Sequence, residues 1–254
     1  MSAGKVVTGA WLWLSTHQMS GIPQIAGRRM SPLECGSVRD EANVREPRRD
    51  WRVWHADYDD PGSDLSRRLR CVQGHITTFL DERPGPVRVV SACAGDGSDL
   101  LGVLAGRMDA GRVSGTLLET DPALAQRAEA AAAHLPGLVQ VHTADAGVTD
   151  SYAGAVPADL VLLCGVFGNI SDADIRATIS VLPQLCSPDA TVIWTRGRDD
   201  ADTVSKVRDW FCDAGLVESA FDAPDDARYR VGVHLFTGSP RPLQPGGRFF
   251  TFLR

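Results

Sequence analysis

No apolar run in the chain approaches the roughly 20 residues that a membrane-spanning helix needs. The nearest thing to a targeting segment, Val6 to Leu14 behind Lys5, is short, is interrupted by Thr8 and Gly9, and lacks a clean small-residue cleavage site. No signal peptide is expected. Positive charge is not in excess: 26 basic residues against 32 acidic ones leave a net charge of −6. This balance disfavours a nonspecific nucleic-acid coat and an anionic membrane surface as partners. The arginines between Arg28 and Arg70 are interleaved with acids from Glu34 to Asp64, so no basic patch is left. The six cysteines (Cys35, Cys71, Cys93, Cys164, Cys186, Cys212) contain no C-x-x-C and no paired histidine spacing. That argues against a disulfide scaffold and against structural zinc, and it favours a reducing, cytoplasmic setting. No diagnostic catalytic triad is present. No metal site is expected, because no clustered His and carboxylates follow a common strand.

What is present reads as a folded, soluble protein: 43% hydrophobic and 23% charged residues over a chain of 254, enough for one core and an appendage. Residues 1–45 lack sustained periodicity and are expected to be a mobile extension, with Trp11-Leu-Trp-Leu14 as a lone apolar cluster. Order is expected to begin in residues 46–84, a helical cap segment. There Trp51, Trp54, His55, Tyr58 and Asp60 precede turn residues. Ser63 can cap a helix in which Leu65, Leu69, Val72, Ile76 and Phe79 recur at helical spacing.

From residue 85 to the end the text alternates strands and helices. Val87–Ser91, Val113–Leu118, Leu138–His142, Leu160–Leu163 and Thr191–Thr195 read as buried strands, with helices at Leu100–Leu104, after Asp121-Pro122, at Ile175–Leu182 and at Val204–Ala214. Ser171 and Asp174 resemble a capping box. Leu216–Phe221, Tyr229–Phe236 and Phe249–Leu253 read as strands joined by turns. The whole predicts an α/β fold: a doubly wound, mostly parallel sheet with an antiparallel C-terminal hairpin and helices on both faces.

Ligands of such sheets bind at the carboxyl ends of the strands. After the first strand stands Ser91-Ala-Cys93-Ala-Gly95-Asp96-Gly97, a tight glycine turn before a helix N-terminus. After the second stands Glu119-Thr120-Asp121. Glu119 lies 22 residues past Gly97, near the roughly 20-residue spacing at which an acid holds ribose hydroxyls. Asp121 reads as a helix cap. After the third, Asp145-Ala146 offers a carboxylate to an adenine amine. After the fourth, Cys164-Gly165-Val166-Phe167-Gly168-Asn169 suggests a slot lined by small and apolar side chains.

This constellation resembles the class I S-adenosylmethionine-dependent methyltransferases over roughly residues 85–240. Val89 to Gly97 resembles the family's first motif, Leu117 to Pro122 its ribose-binding segment, Asp145-Ala146 its adenine-contacting pair and Asp159 to Phe167 its fourth strand. Trp210 to Leu216 resembles the last helix and its entry into the antiparallel pair. The resemblance implies a seven-stranded sheet, S-adenosylmethionine as cofactor, and cofactor contacts from Ser91, Gly95, Asp96, Gly97, Glu119, Thr120, Asp145, Ala146, Cys164, Gly165 and Arg68. Two positions depart from the pattern. Ser91 stands where the family has its leading acid and Cys93 where it has its first glycine, so the acid's role passes to Asp96 or Asp99.

The segment before the first strand commonly closes over the cofactor in this family. That makes His55 a candidate general base, Tyr58 a candidate partner for the sulfonium, and Arg68 a candidate partner for the methionine carboxylate. His234 reads as an edge histidine without a catalytic role, and Cys164 as pocket lining. The place after the fourth strand lacks the Asn/Asp-Pro-Pro-aromatic motif of nucleic-acid amino methyltransferases. A small-molecule acceptor with an oxygen or nitrogen nucleophile is expected. The alternatives are a cofactor-binding fold with a non-methylating reaction, a binding module, and a nicotinamide-dependent dehydrogenase. The last fits less well because Leu100 stands where its fingerprint wants a small residue.

Overall fold

The structure, a computed structural model, describes residues 60–197 and 201–253. The elements follow in the order α1 (Asp64–Glu82), β1 (Val87–Ala92), α2 (Ser98–Ala105), β2 (Val113–Glu119), α3 (Pro122–Ala132), β3 (Leu138–Thr143), β4 (Ala158–Leu163), α4 (Asp172–Leu185), β5 (Cys186–Gly197), α5 (Ala201–Asp213), β6 (Leu216–Asp222) and β7 (Tyr229–Phe236). They build one seven-stranded sheet in the order β3-β2-β1-β4-β5-β7-β6. The first five strands are parallel, and β7 inserts antiparallel between β5 and β6.

The strands read as near-continuous apolar runs because both faces are covered. One face packs Val87, Val89, Leu117, Leu160 and Ile193 against Val72 and Ile76 of α1 and Leu100 and Leu104 of α2. The other packs Val90, Leu118, Val161 and Trp194 against Ile175, Ile179 and Leu182 of α4 and Phe211 of α5. Each such side chain, fully buried, contributes about 1.5–3 kcal/mol relative to exposure. The helix starts follow their caps: Ser63 Oγ accepts from Ser66 N at 3.1 Å, and Asp121 Oδ1 accepts from Ala123 N at 2.8 Å, with Pro122 in the first turn. Gly215 closes α5 at φ 79°.

Three expectations are corrected. Phe249–Leu253 is not a strand; Arg248 makes one isolated bridge to Val148. The aromatic run reads as strand-like, yet Phe249 and Phe250 are consecutive and both buried, which breaks in-and-out alternation. Second, the capping box has one arm. Ser171 Oγ accepts from Asp174 N at 3.1 Å, but Asp174 Oδ2 accepts instead from Thr251 N at 3.2 Å. Third, β5 begins at Cys186, not Thr191, with Asp189 at φ 57° at an irregularity in its ladder with β4.

The C-terminal tail has a structural reason. The crossover from β3 to β4 holds a single 3₁₀ turn, Thr149–Tyr152, where an α-helix is the usual solution. Tyr152 fills part of the exposed sheet face, its hydroxyl donating to Ala146 O at 2.8 Å, and Phe249 and Phe250 fill the rest. Backbone bonds seat the tail: Thr149 N to Gly247 O at 2.8 Å, Phe249 N to Gly147 O at 2.9 Å and Leu253 N to Asn169 O at 2.9 Å. The tail therefore ends at the carboxyl ends of the strands, beside the loops that carry the candidate site.

Candidate functional site

Glu119 is the hub of the strand-end loops. It ends β2 and is 7% exposed. Its Oε2 accepts from Gly95 N at 2.7 Å, its Oε1 from Asp121 N at 2.8 Å, and its carbonyl from Ala144 N at 3.0 Å. One residue thus ties the loop after β1 to the loop after β3. Oε2, with the Gly95 amide as its one donor, keeps lone-pair capacity for a further one.

The loop after β1 owes its shape to positive-φ residues: Cys93 at 53°, Gly95 at 60° and Gly97 at 78°. A Cβ on Gly97 would lie 2.6 Å from Leu101 Cδ1 and 2.8 Å from Leu117 Cδ2, so this position is closed to side chains by conformation and by space. Cys93, which departs from the family's glycine, nevertheless adopts a glycine conformation, at a cost of about 1–2 kcal/mol. Burial and the neighbouring charges of Glu119 and Asp145 push its thiol far up. Cys93 is therefore an inert thiol.

Asp145, largely exposed, accepts from Gly147 N at 2.8 Å through Oδ1 and pairs with Arg248 Nη2 at 2.8 Å through Oδ2. Ala146 is buried. Thr120 is exposed, and its hydroxyl reaches back to Glu119 Oε1 at 3.4 Å. Asp96 is committed to its own turn, accepting from Ser98 N at 3.1 Å and Ser98 Oγ at 2.6 Å. Ser91 is buried within β1.

A second group forms between α1, α2 and β4. Asp99, in the first turn of α2, lies beside Arg68 of α1 and accepts a hydrogen bond from the Cys164 thiol. Burial raises the Asp99 carboxyl, while Arg68 and the Cys164 bond oppose the rise. Burial and Asp99 push the Cys164 thiol well up, so it lines the site as a neutral thiol. Gly165 follows at φ 76°, with open space where a side chain would be. Its N–H donates to Thr195 Oγ1 at 2.8 Å, and its carbonyl accepts from Asn169 Nδ2 at 2.6 Å. Val166 and Phe167, expected to line the slot, are instead fully buried in the core against Trp194 and Phe211.

Of the sequence-expected residues, the structure joins Gly95, Glu119, Thr120, Asp145 and Ala146 at one end, and Arg68, Cys164 and Gly165 at the other. His55 and Tyr58 lie outside the described residues. His234 sits on the interior strand β7, not at an edge. It accepts from Trp194 Nε1 at 3.2 Å and stacks on Phe211 at 4.1 Å, and burial holds it down at about 4, hence neutral. Sequence reasoning missed Arg248 and Thr195, which reach the site only through the tertiary path of the tail and the end of β5. A cavity of about 410 Å³ among Arg176, Ile179, Pro183, Trp210, Phe236 and Arg241 contains none of the candidate site residues.

No family model and no curated protein matches the chain. Solved structures do. The magnesium protoporphyrin IX methyltransferase of Synechocystis PCC 6803, solved with bound S-adenosylmethionine, is 14% identical at a TM-score of 0.58, covering 73% of this chain and 90% of that one. The chain has the class I S-adenosylmethionine-dependent methyltransferase fold. An O-methyltransferase family protein from Burkholderia thailandensis shares the methyltransferase fold at 17% identity and a TM-score of 0.57, over 76% of this chain and 62% of that one. The methyltransferase SibL in its apo form is similar at 19% identity and 0.53, over 75% and 58%. The strand order also departs from the all-parallel 3-2-1-4-5-6 sheet of dinucleotide-binding folds, because β7 runs antiparallel inside it. Among the described residues, no helix is long and apolar enough to cross a membrane.

Proposed function

We propose that this protein is an S-adenosylmethionine-dependent methyltransferase that acts on a small-molecule acceptor by in-line transfer to an oxygen or nitrogen nucleophile. The observation that carries the reading is the Glu119 hub. A nearly buried carboxylate at the end of β2 is bonded to the Gly95 amide and flanked by Cys93 and Asp145. The donor set fits the cofactor. Glu119, with Thr120 beside it, holds the ribose hydroxyls, and Asp145-Ala146 takes the adenine edge. Gly95 and Gly97 let the backbone approach closely. Asp99, beside Arg68 in the second group, inherits the missing acid's part and holds the amino group, while Asp96 Oδ1 serves its own turn. Arg68 takes the carboxylate, and Gly165 leaves room beside Cys164.

S-adenosylmethionine, when bound, supplies an electrophilic methyl group on a sulfonium whose leaving group departs neutral. The chain therefore has to align the nucleophile, exclude water and accept a proton where the acceptor carries one. His55 is proposed for the proton and Tyr58 for the face toward the sulfonium, both in the segment 46–84 that ends in α1. A reducing compartment accords with five free cysteines among the described residues.

Calorimetric titration with S-adenosylmethionine, S-adenosylhomocysteine and NAD tests the cofactor assignment. The first two bind and NAD does not. Binding of NAD alone sinks the proposal in favour of a dehydrogenase. Transfer of labelled methyl to a small-molecule panel, lost in His55→Ala with cofactor affinity kept, tests the enzyme assignment. Tight cofactor binding with no acceptor turned over would leave a binding module.

A further inference from the structure

One side-chain cluster stands outside the strand-end site. Cys71 and His75 are four residues apart on α1, so helical geometry stacks them on one face. Asp222, the last residue of β6, comes to the same place from 147 residues along the chain, and its Oδ2 lies 2.6 Å from His75 Nε2. One ligand atom from each of the three lies within 4.8 Å of the others. We propose that Cys71, His75 and Asp222 bind a zinc-class divalent cation that clasps α1 to the edge hairpin of the sheet.

The ligand chemistry selects the ion. A thiolate, an imidazole and a carboxylate suit Zn²⁺, whereas Mg²⁺ and Ca²⁺ want all-oxygen shells. Ligand-to-zinc distances of about 2.0–2.3 Å in a tetrahedron place ligand atoms about 3.3–3.6 Å apart. The trio reaches that spacing by side-chain rotation: the His75–Asp222 contact opens, and the more distant pair closes. With the thiol proton released, one thiolate and one carboxylate neutralise the doubly charged ion, and His75 binds it as the neutral imidazole. All three residues are half-buried, with His75 and Asp222 side chains 23% and 42% exposed, so the ion has a way in and a fourth position for water.

A Cys–His–Asp nucleophile relay is the rival, and the geometry opposes it. The Cys71 thiol hydrogen-bonds to Asp222, the group a relay would use to orient the histidine. The proposed clasp departs from the expectation of no metal site. The C-x₃-H half was written in the sequence, but the third ligand is brought in by the fold.

The test uses the full-length protein stripped with a chelator and titrated with Co²⁺ and then Zn²⁺. One equivalent of Co²⁺ gives a thiolate-to-cobalt charge-transfer band in the near ultraviolet. The band is absent in Cys71→Ser. Zn²⁺ affinity, read by competition with a chromophoric chelator, falls about a hundredfold or more in Asp222→Asn, the upper end of what even an outer-shell change costs. Zn²⁺ raises the melting temperature of the wild type and not of Cys71→Ser. A band that persists in Cys71→Ser, or no band at one equivalent, overturns the site. If Cys71→Ser fails to fold, His75→Gln carries the same two readouts. None of these outcomes depends on methyl transfer, so the clasp stands or falls separately from the proposed activity.

Discussion

The two ends of the candidate site are built differently. The nucleoside end is made of strand termini held by backbone bonds: Gly95 N and Asp121 N on the Glu119 carboxylate, Ala144 N on its carbonyl, Gly147 N on Asp145. The methionine end is made of side chains from three elements, with Arg68 on α1, Asp99 on α2 and Cys164 after β4. The first end is tied mainly by backbone bonds between the strand-end loops. The second depends on where α1 lies. On the proposed function, pre-organisation of the first end sets nucleoside affinity, and placement of α1 sets the geometry of the reacting end.

Gly97→Ala is expected to break the nucleoside end most completely. It combines a side chain at φ 78° with overlap against Leu101 and Leu117, for a loss of about 4 kcal/mol that a denaturant melt will register. Glu119→Gln sharpens the contrast. It swaps an all-acceptor group for one that must aim an amide donor at a backbone N–H, and S-adenosylhomocysteine affinity should fall by about 2 kcal/mol, roughly thirtyfold. Retained affinity would remove Glu119 from the ribose site.

The methionine end should be the one that responds to acid. Burial raises Asp99, so it takes up a proton at a pH where ordinary aspartates are still charged. The folded state is relieved, not harmed, by that protonation. Binding of the amino group, which needs the ionised form, weakens as pH falls toward the raised value. Adenosine binding should stay flat over the same range, and a parallel decline would contradict the assignment. Arg248→Ala is the smallest effect. The Asp145–Arg248 pair is about half exposed, so its loss should cost well under 1 kcal/mol and shift affinity less than about fivefold.

The strand ends that carry the candidate nucleoside end were largely legible in the sequence, because strands bury as continuous apolar runs. The placement of Glu119 and Asp145 beside the loop after β1 could be read from position alone. Cys93 could not: propensity gives a non-glycine residue no reason to take φ 53°, and the surrounding loop imposes it. Val166 and Phe167 were misread because apolar residues beside a site look the same whether they line it or bury beneath it. The tail was misread for a related cause. Its aromatics answer to a missing helix between β3 and β4, a vacancy set by chain length elsewhere. Asp99 was legible only as one of two alternatives, and the proposal prefers it because it lies beside Arg68, while Asp96 Oδ1 is taken by Ser98.

The most direct test of the two-ended account titrates adenosine and S-adenosylhomocysteine in parallel into the wild type, Glu119→Gln and Asp99→Asn, by calorimetry at neutral pH. The account predicts that Glu119→Gln weakens both ligands by a similar factor, while Asp99→Asn weakens S-adenosylhomocysteine and leaves adenosine unchanged. Equal losses for both ligands in Asp99→Asn, or no loss for either ligand in Glu119→Gln, would contradict it.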